Sequence, residues 1–237
     1  MSVYREKLKL RSKDVDMFRR LRLSRLFELF QEASITHTEE LGMGREKTLD
    51  KGVLWVLLMQ RAEIARMPEY DEEIVLKSWP GRTMHLLFPR YYRLETAAGE
   101  KLVCASALWS LVDAETRKVV FPERYGVEID GVTTGEEIDL PRTIQKQEGE
   151  KEQHFTVPYS FVDLNGHMNN TRYFDLAQVC IGAAAEGKLL REIGTEYSNE
   201  ARFGETLRLH WCEKDGAVLL TGECDRPVFR MKLNYQE

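Results

Sequence analysis

"VDMFRRLRLSRLFELFQ" (residues 15–31) lies without a gap over "VDLNGHMNNTRYFDLAQ" (residues 162–178) when the chain is shifted by 147 positions. Six of the seventeen pairs are identical: Val15/Val162, Asp16/Asp163, Arg25/Arg172, Phe27/Phe174, Leu29/Leu176 and Gln31/Gln178. Ser24/Thr171 and Glu28/Asp175 are conservative matches. A gapless match of this length marks two copies of one structural unit.

In each copy an extended segment leads into a helix. In the first, Leu26, Leu29, Phe30 and Ala33 recur at helical spacing and predict a helix over 21–41, stopping near Gly42–Gly44. In the second, Asn169, Asn170 or Thr171 is the expected N-cap, Asn170 being favoured for a purely capping or turn role. Tyr173, Leu176, Ala177 and Cys180 form its apolar stripe, which fades at "AAAEGK" (183–188). Strand signals follow each helix. The first copy has "GVLWVLLMQRAEI" (52–64), "EEIVLKSWP" (72–80), "LFPRYYRLET" (87–96) and "LVCASALWSLVD" (102–113). The second has "TEYSNEARF" (195–203), "ETLRLHWCE" (205–213), "AVLLTGEC" (217–224) and "VFRMKLNY" (228–235), with Asp215-Gly216 as a hairpin turn. Residues 131–150 are polar and turn-rich and read as a linker between domains at 1–130 and 151–237. A long helix with one apolar stripe must bury it against the strands that follow. The fold class is therefore α+β: two tandem domains, each a long helix wrapped by an antiparallel sheet.

Composition narrows the function. The 237 residues are 43% hydrophobic, enough for a sizeable core. With 34 Lys and Arg against 39 Asp and Glu, the net charge of −5 does not imply bulk nucleic-acid binding. No apolar run approaches the ~18 residues of a membrane span. The first residues, "MSVYREKLKLRSKDVDMF", show no apolar core of a secretory signal. Cys104, Cys180, Cys212 and Cys224 are widely spaced, form no CxxC and read as reduced thiols of a cytoplasmic protein. There is no HExxH, zinc-finger spacing, GxSxG, P-loop or GxGxxG, so neither metal nor cofactor is expected.

The polar run at 163–170, "DLNGHMNN", is the candidate site. In an extended segment Asp163, Asn165 and His167 share a face. An imidazole moves protons near neutral pH, a carboxylate orients it or activates water, and an amide positions water or a carbonyl. The first copy sharpens the choice. It keeps Asp16 but carries Phe18 and Arg20 where the second has Asn165 and His167. Asp163 can thus be scaffold, holding a turn in both copies, as well as site.

The run "DLNGHMNNTRY" resembles the active-site motif of acyl-acyl-carrier-protein (acyl-ACP) thioesterases, D-x-N-x-H-x-N-N followed by a hydroxyl residue, a basic residue and Tyr. "LWVLLMQRAEI", "EEIVLKSWPG" and "ASALWSLVDAETRKVVFPE" resemble the family too, so the likeness spans nearly the whole chain. It implies two tandem hot-dog domains, the first an acyl-binding half with an apolar tunnel and the second catalytic. It implies hydrolysis of fatty acyl-ACP to free fatty acid, with Asp163, Asn165, His167 and Glu200 as site residues. Glu200 matches the family's acid, placed on a strand after the second helix. Plant members carry a cysteine after that acid. Here the position is Ala201, which speaks against a covalent cysteine mechanism. The resemblance also implies a partner, acyl carrier protein with its phosphopantetheine-linked acyl chain. The cluster Arg19, Arg20, Arg22 and Arg25 is the candidate docking patch, with Lys188 and Arg191 contributing. Its other reading is the solvated face of a helix. Three alternatives stay open: an acyl-coenzyme A thioesterase, a non-hydrolytic acyl-binding module, and a (de)hydratase on the same fold. The chain is expected as a monomer or homodimer.

Overall fold

Helix α1 (Leu23–Glu40) buries Leu26, Phe27, Leu29, Phe30 and Ala33 along one face. That stripe recurs every three to four residues, so the helix is stable only with a sheet laid against it. The computed structural model, which describes residues 2–134, 136–182 and 188–236, supplies that sheet. The chain divides into two units, Met1–Gln60 with Ala65–Pro141, and Arg61–Ile64 with Arg142–Glu237. The division falls within the 131–150 segment. The last four residues of β2 belong to the second unit, where Arg61 pairs with Glu192.

In the first unit the strands are β1 (Tyr4–Lys9), β2 (Val53–Ile64), β3 (Glu73–Pro80), β4 (Phe88–Thr96) and β5 (Lys101–Asp113). Their spatial order is β1-β3-β4-β5-β2, and β1, β3, β4 and β5 pair antiparallel in turn. Helix α1 packs on this sheet. The Phe30 ring stacks on Tyr92 of β4 with centroids 4.6 Å apart, and the Ser34 and Tyr92 hydroxyls lie 2.6 Å apart. Asp14 anchors the helix start by accepting from Arg25 Nε at 2.8 Å and from the Arg11 backbone N–H at 2.9 Å.

The second unit repeats this plan. Its strands are β6 (Lys151–Thr156), β7 (Leu189–Tyr197), β8 (Thr206–Lys214), β9 (Ala217–Glu223) and β10 (Pro227–Gln236). Their order, β6-β8-β9-β10-β7, is the first unit's order advanced by five, and every pair is antiparallel. Helix α2 (Arg172–Ile181) lies on β10 and β7, with the Tyr173 ring 4.8 Å from Phe229 and 5.4 Å from Tyr197. Its buried face is Tyr173, Phe174, Leu176, Ala177 and Ile181. Cys180, expected on that stripe, is only half-buried, because the rows through Phe174, Ala177 and Ile181 point one position away from it. The expected fading of the helix over 183–188 lies, except for Lys188, outside the described residues.

Most strand expectations match within a residue or two. One does not. "TEYSNEARF" was expected as a strand, but β7 starts at Leu189 and ends at Tyr197, leaving 198–205 as a loop. The chain there turns away from β10 and pairs with the segment entering α2, at Met168 and His167, instead of extending β7. The extended segments before the helices are β1 and β6, and each pairs with a strand distant in sequence.

A polar cluster sits inside the first unit. Arg90 on β4, 4% exposed, donates from Nε to Ser78 Oγ at 2.8 Å and from Nη2 to His37 Nδ1 at 2.7 Å. A guanidinium can only donate, so Nδ1 is bare and His37 is assigned as the neutral Nε2–H tautomer. Burial, reinforced by the Arg90 charge, pushes the His37 pKa down to about 4. Burial also lowers Arg90 to about 10, which leaves it charged at neutral pH.

The sign of the linkage follows. Below its ordinary value near 6.5 an unfolded His37 binds a proton that the folded one refuses until about pH 4. Stability contributed by this site is present above pH 6.5 and is lost progressively as pH falls toward 4. In urea unfolding monitored between pH 7.5 and 4.5, the wild type is expected to lose midpoint more steeply than His37→Gln. Parallel curves would refute it.

Candidate active site

The chain enters α2 through a tight turn at residues 162–168. Asp163 N–H donates to the His167 carbonyl at 3.0 Å, and Gly166 N–H donates to the Asp163 carbonyl at 3.0 Å. Val162 and Met168 close it as a β-bridge. The Asp163 carboxylate serves this turn. Its Oδ1 accepts from Asn165 N–H at 2.9 Å and its Oδ2 from Asn169 Nδ2 at 3.2 Å. The first unit builds the same turn. Asp16 N–H donates to the Arg20 carbonyl, Arg19 N–H donates to the Asp16 carbonyl, and Val15 bridges Leu21. Asp16 Oδ1 accepts from Phe18 and Arg20 N–H, both at 2.9 Å. The fourth position needs positive φ. The second unit places Gly166 there at +82°, whereas the first accepts Arg19 at +66°, a conformation that costs a side-chain-bearing residue about 1–2 kcal/mol. Asp163 is thus turn scaffold, as its survival at Asp16 allowed.

Asn169 continues the framework. Its Oδ1 accepts from Thr171 N–H at 3.0 Å and Thr171 Oγ at 2.8 Å. This is an Asx turn at the start of α2. The sequence reading favoured Asn170 for that part. Asn170 instead offers its carbonyl to the Tyr197 hydroxyl at 2.9 Å.

The segment leaving the turn pairs with the loop that follows β7. Met168 N–H donates to the Ala201 carbonyl at 2.7 Å, and His167 bridges Arg202. This pairing brings together two residues 33 positions apart, His167 and Glu200, with Nε2 3.3 Å from Oε1. Both side chains are largely covered, 16% and 29% exposed. His167 Nδ1 is buried and has no hydrogen-bond partner among the described residues. With the carboxylate facing Nε2, the proton is assigned to Nε2, and the buried Nδ1 carries no hydrogen. Beside them Tyr173 is buried, and burial raises its pKa, opposed by a hydrogen bond from the Ala201 backbone.

The structure therefore joins His167 to Glu200 and joins Asp163 to the turn. Asn165 stands at the exposed tip, and its carboxamide has no hydrogen bond among the described residues. Glu200 lies in the loop, three residues beyond β7, not on a strand. Ala201 is fully buried, so nothing nucleophilic follows the acid. Burial pushes the Cys180 thiol up to about 11, and burial together with Asp225 raises Cys224. No group of His, Cys, Asp and Glu among the described residues has the arrangement of a metal site. A surface depression lined by Lys188, Glu213, Lys214 and Tyr235 shares no residue with the His167–Glu200 pair. Sequence reading missed Arg226, whose guanidinium donates to the Glu200 carbonyl at 2.7 Å.

The arginine cluster is partly committed to the first unit's own structure. Arg25 pairs with Asp14 and Glu28, and the exposed Arg22 donates to the Lys13 carbonyl. Arg19 and Arg20 lie over the rings of Tyr70 and Phe18 at 5.8 and 5.0 Å.

A helix wrapped by a five-stranded antiparallel sheet, built twice, with an imidazole–carboxylate pair in one copy, defines a tandem hot-dog protein. The acyl-ACP thioesterase N-terminal domain profile matches residues 1–143 and the C-terminal domain profile matches residues 144–222. The chain belongs to the acyl-ACP thioesterase family. An acyl-acyl-carrier-protein hydrolase of Cuphea viscosissima is 24% identical over 184 residues, covering 72% of this chain and 45% of its own length. A dodecanoyl-acyl-carrier-protein hydrolase of Cinnamomum camphora is 23% identical, covering 87% of this chain and 58% of its own. The chain spans about half the length of the curated relatives it matches. The solved acyl-ACP thioesterase of Bacteroides thetaiotaomicron superposes with a TM-score of 0.82 at 20% identity, covering 99% of this chain and 98% of its own.

If Asp163 is scaffold, Asp163→Ala and Asp16→Ala should destabilise alike, by about 1–2 kcal/mol each in urea unfolding. Loss of turnover in Asp163→Ala with wild-type stability would place the carboxylate in the chemistry instead.

Proposed function

We propose that this chain hydrolyses the thioester of a fatty acyl group carried on acyl carrier protein and releases the free fatty acid. The carrying observation is the His167–Glu200 pair, 3.3 Å apart, with His167 in the D-x-N-x-H run that resembles the family's motif. Hydrolysis needs a base for water, a donor for the developing oxyanion, and orientation of both. Glu200, its carboxylate held by the His167 Nε2–H, accepts the proton of the attacking water. The hydroxide oxygen adds to the thioester carbonyl carbon. The tetrahedral intermediate then expels the thiolate, which takes the proton back. Asn165, at the tip of the same turn, positions the water or the carbonyl through its carboxamide. Asp163, with both oxygens engaged by Asn165 and Asn169, holds the turn and is not the base. The first unit has Phe18 and Arg20 at the positions of Asn165 and His167, which supports its reading as the acyl-binding half.

The carrier-protein partner follows from the family. For docking, the exposed Arg19 and Arg22 and the half-buried Arg20, which lies 4.0 Å from Asp16, are the members of the cluster that remain, since Arg25 is tied to Asp14 and Glu28. Charge reversal at Arg19 and Arg20 should raise KM for acyl-ACP and leave KM for acyl-coenzyme A unchanged. Equal effects on both would remove these arginines from docking.

A panel of acyl-ACP and acyl-coenzyme A thioesters, with the free acids identified, tests the activity. His167→Ala and Glu200→Gln should each lower kcat by about 10²- to 10⁴-fold. Cys224→Ser should stay within about twofold of wild type, because its thiol is protonated at neutral pH. Full turnover in His167→Ala would overturn the mechanism. Release of no acid from any thioester would favour an acyl-binding module.

A further inference from the structure

The loop that carries Glu200 is held by the start of β10 and the turn that precedes it. Asn199 Nδ2 donates to the Pro227 carbonyl at 2.7 Å, and Ser198 N–H donates to the Val228 carbonyl at 2.8 Å. Arg226 does more than either. Its Nη2 donates to the Glu200 carbonyl at 2.7 Å and to Glu205 Oε2 and Oε1 at 3.0 and 3.1 Å. Its Nη1 donates to Asp225 Oδ1 at 2.6 Å and to Cys224 Sγ at 3.2 Å. Glu205 Oε2 in turn accepts from the Arg202 backbone N–H at 2.9 Å. One planar fork thus grips the loop at Glu200 and, through Glu205, at Arg202.

Those two points flank the pairing that builds the site. Between them Ala201 bonds Met168, and Arg202 itself bridges His167. His167 Nε2 faces Glu200 Oε1, and Nδ1 has no partner among the described residues to fix the ring instead. The orientation of the imidazole therefore depends on where the Glu200 backbone is held. We infer that Arg226 is a positioning residue of the His167–Glu200 pair, acting through the Glu200 carbonyl and the Glu205 carboxylate. Arg226 lies beyond residues 144–222, the span matched by the C-terminal domain profile. Lysine replaces it only in part, because a single ammonium can meet the Glu200 carbonyl and the Glu205 carboxylate but has no second nitrogen to hold Asp225 and Cys224 at the same time.

The inference rests on the hydrolytic reading of that pair, so the test needs one readout that uses no substrate. Arg226→Met/Glu205→Gln removes both members of the ion pair without changing net charge. Arg226→Lys keeps the charge and removes the fork. Each full-length variant is compared with wild type by kcat and KM on acyl-ACP, and by imidazole ¹⁵N NMR of His167 at fixed pH. In wild type the Nε2 signal should be that of a carboxylate-bonded nitrogen. In the double variant that signature should disappear and kcat should fall by about ten- to a hundredfold with KM within about threefold. Arg226→Lys should fall between the two. A merely structural brace would lower thermal stability and leave kcat and the imidazole signal of the folded protein unchanged. Should the double variant not fold, Arg226→Lys decides by the same two readouts. If wild type releases no acid, the hydrolytic reading fails while the imidazole signals still judge the clamp. Wild-type kcat and an unshifted Nε2 signal in a folded variant would overturn the inference.

Discussion

An aspartate carboxylate accepting N–H groups within its own turn delivers the chain onto the helix in both units, and the site is placed by that delivery. Asp16 and Asp163 do this with the same main-chain hydrogen bonds and the same bridge closing the turn. A turn with unpaired amides, lodged between an edge strand and a buried helix, would leave polar groups without partners at a cost near that of a lost hydrogen bond. The aspartate supplies the missing acceptor. Once the turn is fixed, the first residues beyond it are aimed at the loop after β7 in the second unit. In the first unit the same turn presents Phe18 and Arg20, so the scaffold repeats without the chemistry.

The sheets give the turns something to lean on. Each helix has one apolar face and can bury it only on a sheet whose strands alternate in burial. Strand β8 shows this pattern, with Leu207, Leu209 and Trp211 buried between exposed or half-buried Arg208 and His210. The identical strand order in the two units follows from the same requirement met twice. Duplication also explains why the polar interior is unequal. The first unit keeps a charged Arg90 against a neutral His37, a costly arrangement held by Ser78 and the helix backbone. The second unit instead ties its Glu200 loop with Arg226 and Glu205.

Particular residues show what was legible. The self-match at 147 positions exposed the repeat, because an apolar period, an aspartate and a register survive divergence together. The strands from Val53 to Asp113 could be read almost to the residue, since alternation and turn residues agree there. "SNEARF" was misread as strand, since the pairing of that stretch with the segment entering α2 is not visible in its local sequence. Asn165 and His167 stood out because the first copy carries Phe18 and Arg20 in their places. Glu200 came from resemblance, since nothing in its local sequence marks it. Arg226 gave no signal, because a lone arginine after a strand resembles any solvated charge. Its meaning lies in a carbonyl and a carboxylate that the fold brings to it.

The sequence by itself determined the duplication, the α+β class, the position of the polar turn and the absence of a cysteine after the acid. These are local properties: periodicity, turn chemistry and identity at a position. Only the tertiary structure decided that Asp163 holds a turn, that Glu200 meets His167 across 33 residues, and that Arg25 is bound to Asp14 and Glu28. The first and third depend on side-chain geometry that only the folded turn and helix fix, and the second on which backbone segments pair at long range. Pairing of that kind is set by strands and loops distant in sequence, which no local window of residues contains.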